Sequence, residues 1–185
     1  EKNLRKENLD LFYQNGFPNK KIEDWKFTDL NSILKKNFNS ITNKDFTSGN
    51  KKLKLIEGFE HNFIFLVNGK LISNNFDYED KNKIFVKDYD HKDKIKLDRQ
   101  NSLIFLNNAL ATGGFTLEVS KNYKLIKPLI IYNYFSKNLK ETIINNKNSI
   151  ILNEGSELTL VNYIDNESDN NYMTNTIDNI IIKNV

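Results

Sequence analysis

Short apolar runs in the second half of this 185-residue chain place the strongest constraint on its fold. Residues 150–152, 158–163 and 177–182 are rich in β-branched side chains, and Gly155 and Ser156 lie at a turn between the first two runs. Such runs, bounded by Asn, Asp, Gly or Ser, are typical of strands joined by tight turns. The last run has nothing after it with which to pair, and an unpaired edge invites another strand. The pattern predicts a sheet that is cut off, and hence a chain that is the N-terminal part of something longer.

Residues 62–72 give the clearest local signal in the chain. Two apolar runs flank the dipeptide Asn68-Gly69. Asn and Gly both accept the positive φ angles that a two-residue turn with the correct twist requires. This segment therefore predicts a β-hairpin.

The N-terminal stretch predicts a helix followed by an irregular segment. Residues 4–13 carry apolar side chains at helical spacing, and Gly16 supplies a stop signal after them. Trp25 is the single tryptophan of the chain and lies in the irregular segment. Large aromatic side chains serve packing more often than ligand recognition, so Trp25 is predicted to be a core anchor.

Two further helices are predicted from their capping signals. Thr28 is placed to cap a short helix that contains residues 30–34, since its hydroxyl can accept a hydrogen bond from a free amide of the first turn. Ser102 is placed in the same way before a helix over residues 103–110, with Gly113 as its C-terminal stop.

After this helix the sequence becomes strand-rich. Residues 115–119 alternate between apolar and polar, and residues 125–134 form a longer apolar run with Pro128 near its start. We therefore predict two regions, a mixed helical and hairpin region over residues 1–112 and a mainly β region over residues 113–185. The β region fits a sandwich or barrel, or a stacked parallel β-helix, and the abrupt end weakly favours the β-helix.

Composition excludes several classes of function. Lys and Arg number 27 against 24 Asp and Glu, and the formal net charge of +3 is spread along the chain rather than clustered. Nucleic-acid surfaces need clustered positive charge, so no nucleic-acid partner is predicted. The chain has no Cys, which removes disulfides and thiolate chemistry. It has neither a membrane-length apolar run nor a signal-peptide pattern, so we predict a cytoplasmic protein with no membrane partner.

Two groups of polar side chains deserve a chemical interpretation. Asp88, Asp90 and His91 could offer a weak divalent-metal site, but they lack metal-ligand spacing, and a solvated loop is the preferred interpretation. A second cluster contains Asp165, Glu167 and Asp169, and paired carboxylates perform glycoside chemistry. Neighbouring Asn residues again favour an exposed loop. We therefore predict no catalytic residue and no metal ligand.

The chain resembles the N-terminal portion of proteins of the SufB/SufD family, which belongs to the Suf iron–sulfur cluster assembly system. The residues that follow Gly16-Phe17-Pro18, with Trp25 and Thr28 among them, are similar to the family segment P-x-x-K-x-E-x-W-K-Y-T-x-L, although Phe27 replaces its common Tyr. This segment favours SufD over SufB proteins. Other similar stretches follow in the same order over residues 65–70, 106–110, 127–131, 153–163 and 172–175.

The resemblance implies a fold and a set of partners. The fold would be an α+β N-terminal region with helices and a hairpin, followed by the first rungs of a right-handed parallel β-helix. The implied role is that of a SufD-like scaffold subunit of the SufBCD complex, non-catalytic by itself, with a SufB-like subunit and a SufC-like ATPase as partners. No cofactor is expected in this segment. The residues singled out are structural: Trp25, Thr28, Asn68, Gly69, Pro128 and Gly155.

Two other functions remain open on the sequence. One is a β-helix carbohydrate-active enzyme, a lyase or hydrolase that would use Asp165, Glu167 or Asp169. The other is a binding module that docks a partner chain through an exposed strand edge.

Overall fold

The computed structural model describes residues 2–40, 52–90 and 101–183. Its α-helices are α1 (Lys2–Asn15), α2 (Leu30–Asn37) and α3 (Ser102–Leu110). Its strands are β1 (Asn62–Val67), β2 (Lys70–Asn75), β3 (Ile84–Asp88), β4 (Gly113–Val119), β5 (Leu129–Phe135), β6 (Ile143–Leu152), β7 (Leu160–Asn166) and β8 (Met173–Ile182).

The strands form two four-stranded mixed sheets. The first sheet has the order β2-β1-β5-β7 and the second has the order β3-β4-β6-β8. Strands β1 and β2 of the first sheet are antiparallel, and so are β3 and β4 of the second sheet. The other described strand pairs are parallel. From β5 to β8, successive strands alternate between the two sheets. The architecture is a mixed α/β fold with mostly parallel sheets.

This architecture corrects the predicted fold class. The described residues form two four-stranded mixed sheets and no β-helix, so the prediction of an α+β region followed by β-helix rungs is wrong. Apolar alternation finds strands, but it does not say which strands pair, and β1 pairs with β5 across 67 residues, from Asn62 to Leu129. Residues 1–112 and 113–185 remain a predicted division of the chain.

The main core lies where side chains of the two sheets meet. Ile64 and Leu66 of β1 belong to the same buried cluster as Phe115 and Leu117 of β4. Alternate residues of each strand thus point into one shared apolar layer, as period-two patterning requires. The opposite face of the first sheet carries a second cluster of aromatic and aliphatic side chains around Tyr132.

Helices α1 and α3 are linked to the second sheet. Phe12 of α1, Leu106 of α3 and Ile143 of β6 form one buried cluster. Asn107 of α3 is fully buried, and its amide donates to the carbonyl oxygens of Asn146 and Asn175, at 3.0 and 2.5 Å. One side chain of α3 therefore ties two neighbouring strands to the helix layer.

The predicted hairpin is confirmed. Strands β1 and β2 pair antiparallel, with Val67 opposite Lys70. Asn68 and Gly69 have φ angles of 50° and 81°, which is the positive-φ pair that the dipeptide predicts. The Asn68 side chain also accepts a hydrogen bond of 2.9 Å from the Ser136 amide, so the turn is fixed to the end of β5.

The predicted N-terminal helix is confirmed and the predicted caps are wrong. Helix α1 ends at Asn15, and Gly16 follows with a φ of 67°. Helix α2 is capped by Asp29, whose carboxylate accepts a hydrogen bond of 2.9 Å from the Ser32 amide, and Thr28 lies one residue too early for that contact. Asn101 precedes Ser102 and caps α3 in the same way. Asp and Asn cap helices at least as well as Ser and Thr do. Residue type alone therefore does not show which of two neighbouring residues is the N-cap.

Trp25 is not the core anchor that the sequence predicts. It ends a short 3-10 turn over Glu23–Trp25 and is half-buried, and it is absent from the core clusters of the described residues. Gly113 is not a helix stop either, since α3 ends at Leu110 and Gly113 begins β4. Gly155 does lie in a turn, with a φ of 68°, but the strands on either side of it belong to different sheets.

Gly113→Ala is expected to destabilise the fold by about 3 kcal/mol, because the new methyl group would overlap the carbonyl oxygen of Gly69 at the hairpin turn. Gly16→Ala is the matched control. A Cβ at Gly16 meets open space, and its positive φ alone should cost about 1 kcal/mol. Urea denaturation of the three proteins measures both losses. Equal losses in the two variants would show that the hairpin does not press against Gly113.

Candidate functional site

Strands β7 and β8 form the outer edge of the two sheets on the same side of the molecule. Each pairs with one described strand, β5 and β6 respectively. All of β7 is exposed, and β8 is largely exposed. Ile164 and Ile182 expose 63% and 69% of their surface, which is unusual for aliphatic side chains in a sheet. This edge matches the exposed strand edge that a docking module would use.

Polar side chains of β6 and β8 form hydrogen-bonded pairs beside this edge. Three hydrogen bonds of 2.7 to 2.9 Å join side chains of β6 to side chains of β8 that are partners in the strand register. Cross-strand pairs of this kind stabilise a sheet and fix its register. The pairs are Asn145 with Asn175, Asn146 with Thr176, and Asn148 with Asp178.

A cleft of about 500 Å³ lies on the outer face of the first sheet. Its wall is formed by residues 52–57, and Tyr132, Tyr134 and Tyr163 line its sheet side. The Tyr132 hydroxyl is 2.7 Å from Nε2 of His61, and burial raises the pKa of Tyr132. The volume of the cleft is within the usual range for small-molecule pockets.

Two of the three carboxylates in the acidic cluster of the sequence line this cleft. They are Asp165 and Glu167, and Asp169 does not line it. The Tyr134 hydroxyl donates a hydrogen bond of 2.5 Å to Glu167. The structure therefore brings two members of the acidic cluster together beside tyrosines, and the expectation that they are non-catalytic remains a prediction.

The residues considered and rejected as a weak metal site lie partly outside the described residues. Asp88 ends β3, Asp90 follows it, and His91 lies outside the described residues. Within residues 2–40, 52–90 and 101–183, no group of three or more His, Asp or Glu side chains is arranged to hold a metal ion. The expectation of no metal and no cofactor remains a prediction.

The six structural residues occupy separate turns and termini rather than one site. Asn68 and Gly69 form the hairpin turn, and Gly155 lies in the turn before β7. Pro128 directly precedes β5, and its carbonyl oxygen accepts a hydrogen bond of 2.8 Å from the Asn62 amide. Trp25 and Thr28 lie between α1 and α2.

Glu79 is a buried carboxylate that the sequence interpretation missed. It exposes 7% of its surface and accepts hydrogen bonds from the Asn62 amide group, the Tyr123 hydroxyl and the backbone amides of Ile126 and Lys127, at 2.8 to 3.0 Å. Burial by itself raises the pKa of Glu79, but these hydrogen bonds outweigh burial and lower the pKa below its usual value. Glu79 thus holds the segment before β5 against β1.

Lys147 is a second buried charged residue that the sequence interpretation missed. It lies in β6 with 7% of its surface exposed, and its ammonium group donates a hydrogen bond of 2.6 Å to Oδ1 of Asn108 in α3. The ammonium also lies 5.8 Å from the centre of the Tyr89 ring. Burial, with a smaller contribution from the positive charge of Arg5, lowers the pKa of Lys147 to about 8. No sequence pattern distinguishes this lysine from the exposed ones.

No helix in the described part of the chain has the length and apolar character that a membrane span needs.

Comparison with known protein families gives a match to the N-terminal part of the chain. Residues 2–87 match the family model described as the SufBD protein N-terminal region. The matched part runs from α1 to β3 and includes the hairpin and Glu79. This match supports the SufB/SufD family, whose members act in iron–sulfur cluster assembly, and it does not separate SufD from SufB. A search of curated proteins found no match.

Glu79→Gln is expected to lower the free energy of unfolding by about 2 to 3 kcal/mol at neutral pH, because a neutral amide accepts fewer of the four hydrogen bonds. The pKa of Glu79 is lowered in the folded state, so its contribution is complete above the unfolded value of about 4.3. It is lost as the pH falls through the folded pKa. Urea denaturation at several pH values measures the gap between the two proteins, with exposed Glu57→Gln as the control. A gap that stays constant into acid would contradict the assignment.

Lys147→Met is expected to stabilise the protein by about 2 kcal/mol at neutral pH, because it removes a buried charge that has no carboxylate partner among the described residues. The folded pKa of about 8 lies below the unfolded value of about 10.4, so the unfolded chain binds more protons between them and wild-type stability rises with pH there. The advantage of the variant should therefore shrink between about pH 8 and about pH 9.5 in urea titrations. Exposed Lys140→Met should show no such trend.

Proposed function

We propose that this chain is a SufD-like scaffold subunit in iron–sulfur cluster assembly. The observation that supports the proposal is the match of residues 2–87 to the SufBD N-terminal region. The tryptophan-containing segment before α2 supports the SufD side of the family, since it is similar to the corresponding SufD segment. Its partners would be a SufB-like subunit and a SufC-like ATPase.

The proposed role is structural rather than catalytic. These 185 residues contain no Cys, so the thiolate ligands of a cluster would come from outside them. The two carboxylates of the cleft, Asp165 and Glu167, are exposed, and one is bound by the Tyr134 hydroxyl. We accordingly assign no catalytic residue and no resident cofactor to these residues.

The exposed edge of the sheets suits a scaffold. Strands β7 and β8 each pair with a single strand among the described residues, and they expose branched aliphatic side chains on the same side of the molecule. Such an edge is a general means of binding another chain through backbone hydrogen bonds. Docking through this edge, which the sequence left open as an alternative function, is compatible with the scaffold role.

The proposal is tested by affinity purification of the tagged chain from its own cells, with mass spectrometry of the retained proteins. A SufB-like subunit and a SufC-like ATPase should co-purify in comparable amounts. Phe27→Ser is a suitable control, since Phe27 is 87% exposed and far along the chain from the strand edge. Absence of both partners from the wild-type sample would overturn the proposal.

A further inference from the structure

Lys147 carries a buried amine that the proposed function does not use. It lies in β6 with 7% of its surface exposed, and its nitrogen donates a hydrogen bond of 2.6 Å to Oδ1 of Asn108 in α3. The centre of the Tyr89 ring is 5.8 Å from the same nitrogen. An amide oxygen and an aromatic ring attract a cation, but neither supplies a full negative charge. The ammonium group of Lys147 is therefore buried without a counter-ion from these neighbours.

The charged side chain that acts on this amine is also positive. None of the ion pairs among the described residues includes Lys147. Arg5 of α1 lies near enough for its charge to disfavour the ammonium form, and its Nε donates a hydrogen bond of 2.7 Å to the carbonyl oxygen of Ala109 in α3. Burial, with this smaller effect of Arg5, lowers the pKa of Lys147 to about 8. Roughly a tenth of the molecules thus carry the neutral amine at pH 7, against fewer than about one in a thousand for an ordinary lysine.

The neighbouring strand β4 adds no side chain beside Lys147. Its residue in register with Lys147 is Gly114, although β6 lies between two strands of its sheet. The remaining exposure of 7% keeps part of the lysine in contact with solvent. A molecule of a few atoms can reach such a nitrogen, whereas a modifying enzyme needs a lysine that projects into solvent. The position therefore favours a reaction with a small, freely diffusing molecule.

Carbon dioxide is a small electrophile that reacts with a neutral lysine amine. The nitrogen lone pair attacks the carbon, a C–N bond forms, and one pair of C=O π electrons moves to oxygen. The nitrogen then releases one proton to water, so the amine and carbon dioxide give a carbamate and H⁺ with no oxidant or reductant. An ammonium group has no lone pair and does not react. The lowered pKa of Lys147 therefore favours this step over the same step at exposed lysines.

The carbamate suits the surroundings of Lys147 better than the ammonium group does. It keeps one N–H, which can still donate to Oδ1 of Asn108. Its two oxygens carry a negative charge, so the repulsion by Arg5 becomes an attraction. An acetyl or other neutral acyl group would gain nothing from the charge of Arg5. The surroundings therefore favour carbon dioxide over neutral acyl groups.

We propose that Lys147 binds carbon dioxide reversibly as a carbamate, which attracts Arg5 and strengthens the attachment of α1 to the second sheet. Arg5 belongs to α1 and Lys147 to β6, so the new attraction joins two elements that already share the apolar cluster around Phe12. The inference goes beyond the proposed scaffold role and does not depend on it.

Chemical trapping tests the carbamate directly. The full chain is equilibrated with isotope-labelled bicarbonate near the pKa of Lys147 and treated with triethyloxonium, which converts a carbamate into a stable ethyl ester. Peptide mass spectrometry then locates the label. Lys147 should carry about tenfold more label than exposed Lys140. Equal labelling of the two lysines, or a neutral acyl group on Lys147 in protein from its own cells, would overturn the proposal.

Variants of Arg5 test whether its charge holds the carbamate. Arg5→Gln should reduce the label on Lys147 about fivefold, because the carbamate loses its positive neighbour. Arg5→Lys keeps the charge and should retain most of the label. Lys6→Gln removes a charge from an exposed position of the same helix and is the matched control, with labelling unchanged. Thermal midpoints show that the compared variants are folded, and full labelling of folded Arg5→Gln would contradict the proposed pairing.

Stability in bicarbonate gives an independent readout. A molecule that binds the folded state and not the unfolded state raises the free energy of unfolding. The urea midpoint of the wild type should therefore rise when bicarbonate replaces chloride at equal ionic strength and pH, and the midpoint of Lys147→Met should not. A rise of equal size in the two proteins would be a general salt effect and would overturn the proposal.

Discussion

Close approach of backbone at Gly69 and Gly113 determines how the two sheets meet, because a side chain at Gly113 would overlap the carbonyl of Gly69. Within the second sheet, a side chain at Gly114 would overlap the carbonyl of Lys147. Gly114 also has a φ of 123°, which side chains with a Cβ rarely adopt. The hairpin turn of the first sheet thus lies directly against the start of β4 in the second. Every later strand adds to one of these two sheets, so their relative position follows from this contact.

Polar groups fix the opposite end of the same sheets. Glu79 follows the hairpin, and its carboxylate accepts hydrogen bonds from the segment that leads into β5. Asn62, the first residue of β1, also donates a hydrogen bond to this carboxylate. Asn62 and Glu79 are both buried, so their hydrogen bonds form in a medium of low dielectric constant, where they are strong and where losing one is costly. The parallel pairing of β1 with β5 is therefore held at both ends, by the contact of Asn68 with Ser136 at one and by the Glu79 carboxylate at the other.

The sequence predicted the N-terminal helix and the hairpin correctly, and it predicted helix caps and long-range strand pairing poorly, for physical reasons. The hairpin at Asn68 and Gly69 was predictable because turn geometry depends on two residues. The partners of β5 were not, since an apolar strand fits any apolar neighbour. Of the candidate site, the exposed strand edge was predictable from the last apolar run. Glu79 and Lys147 were not predictable, because burial of a charge depends on what the rest of the chain places around it.

The hydrogen-bonded polar pairs between β6 and β8 contribute to strand register rather than to stability. An aliphatic pair in place of Asn148 and Asp178 would fill the space between the sheets without a buried acceptor, and such replacements are often neutral or stabilising. Apolar side chains on both sides of this pair already supply the packing. What the amide and carboxylate add is register, since a shift of β8 by one residue would separate Asp178 from Asn148 and leave the buried amide without its partner.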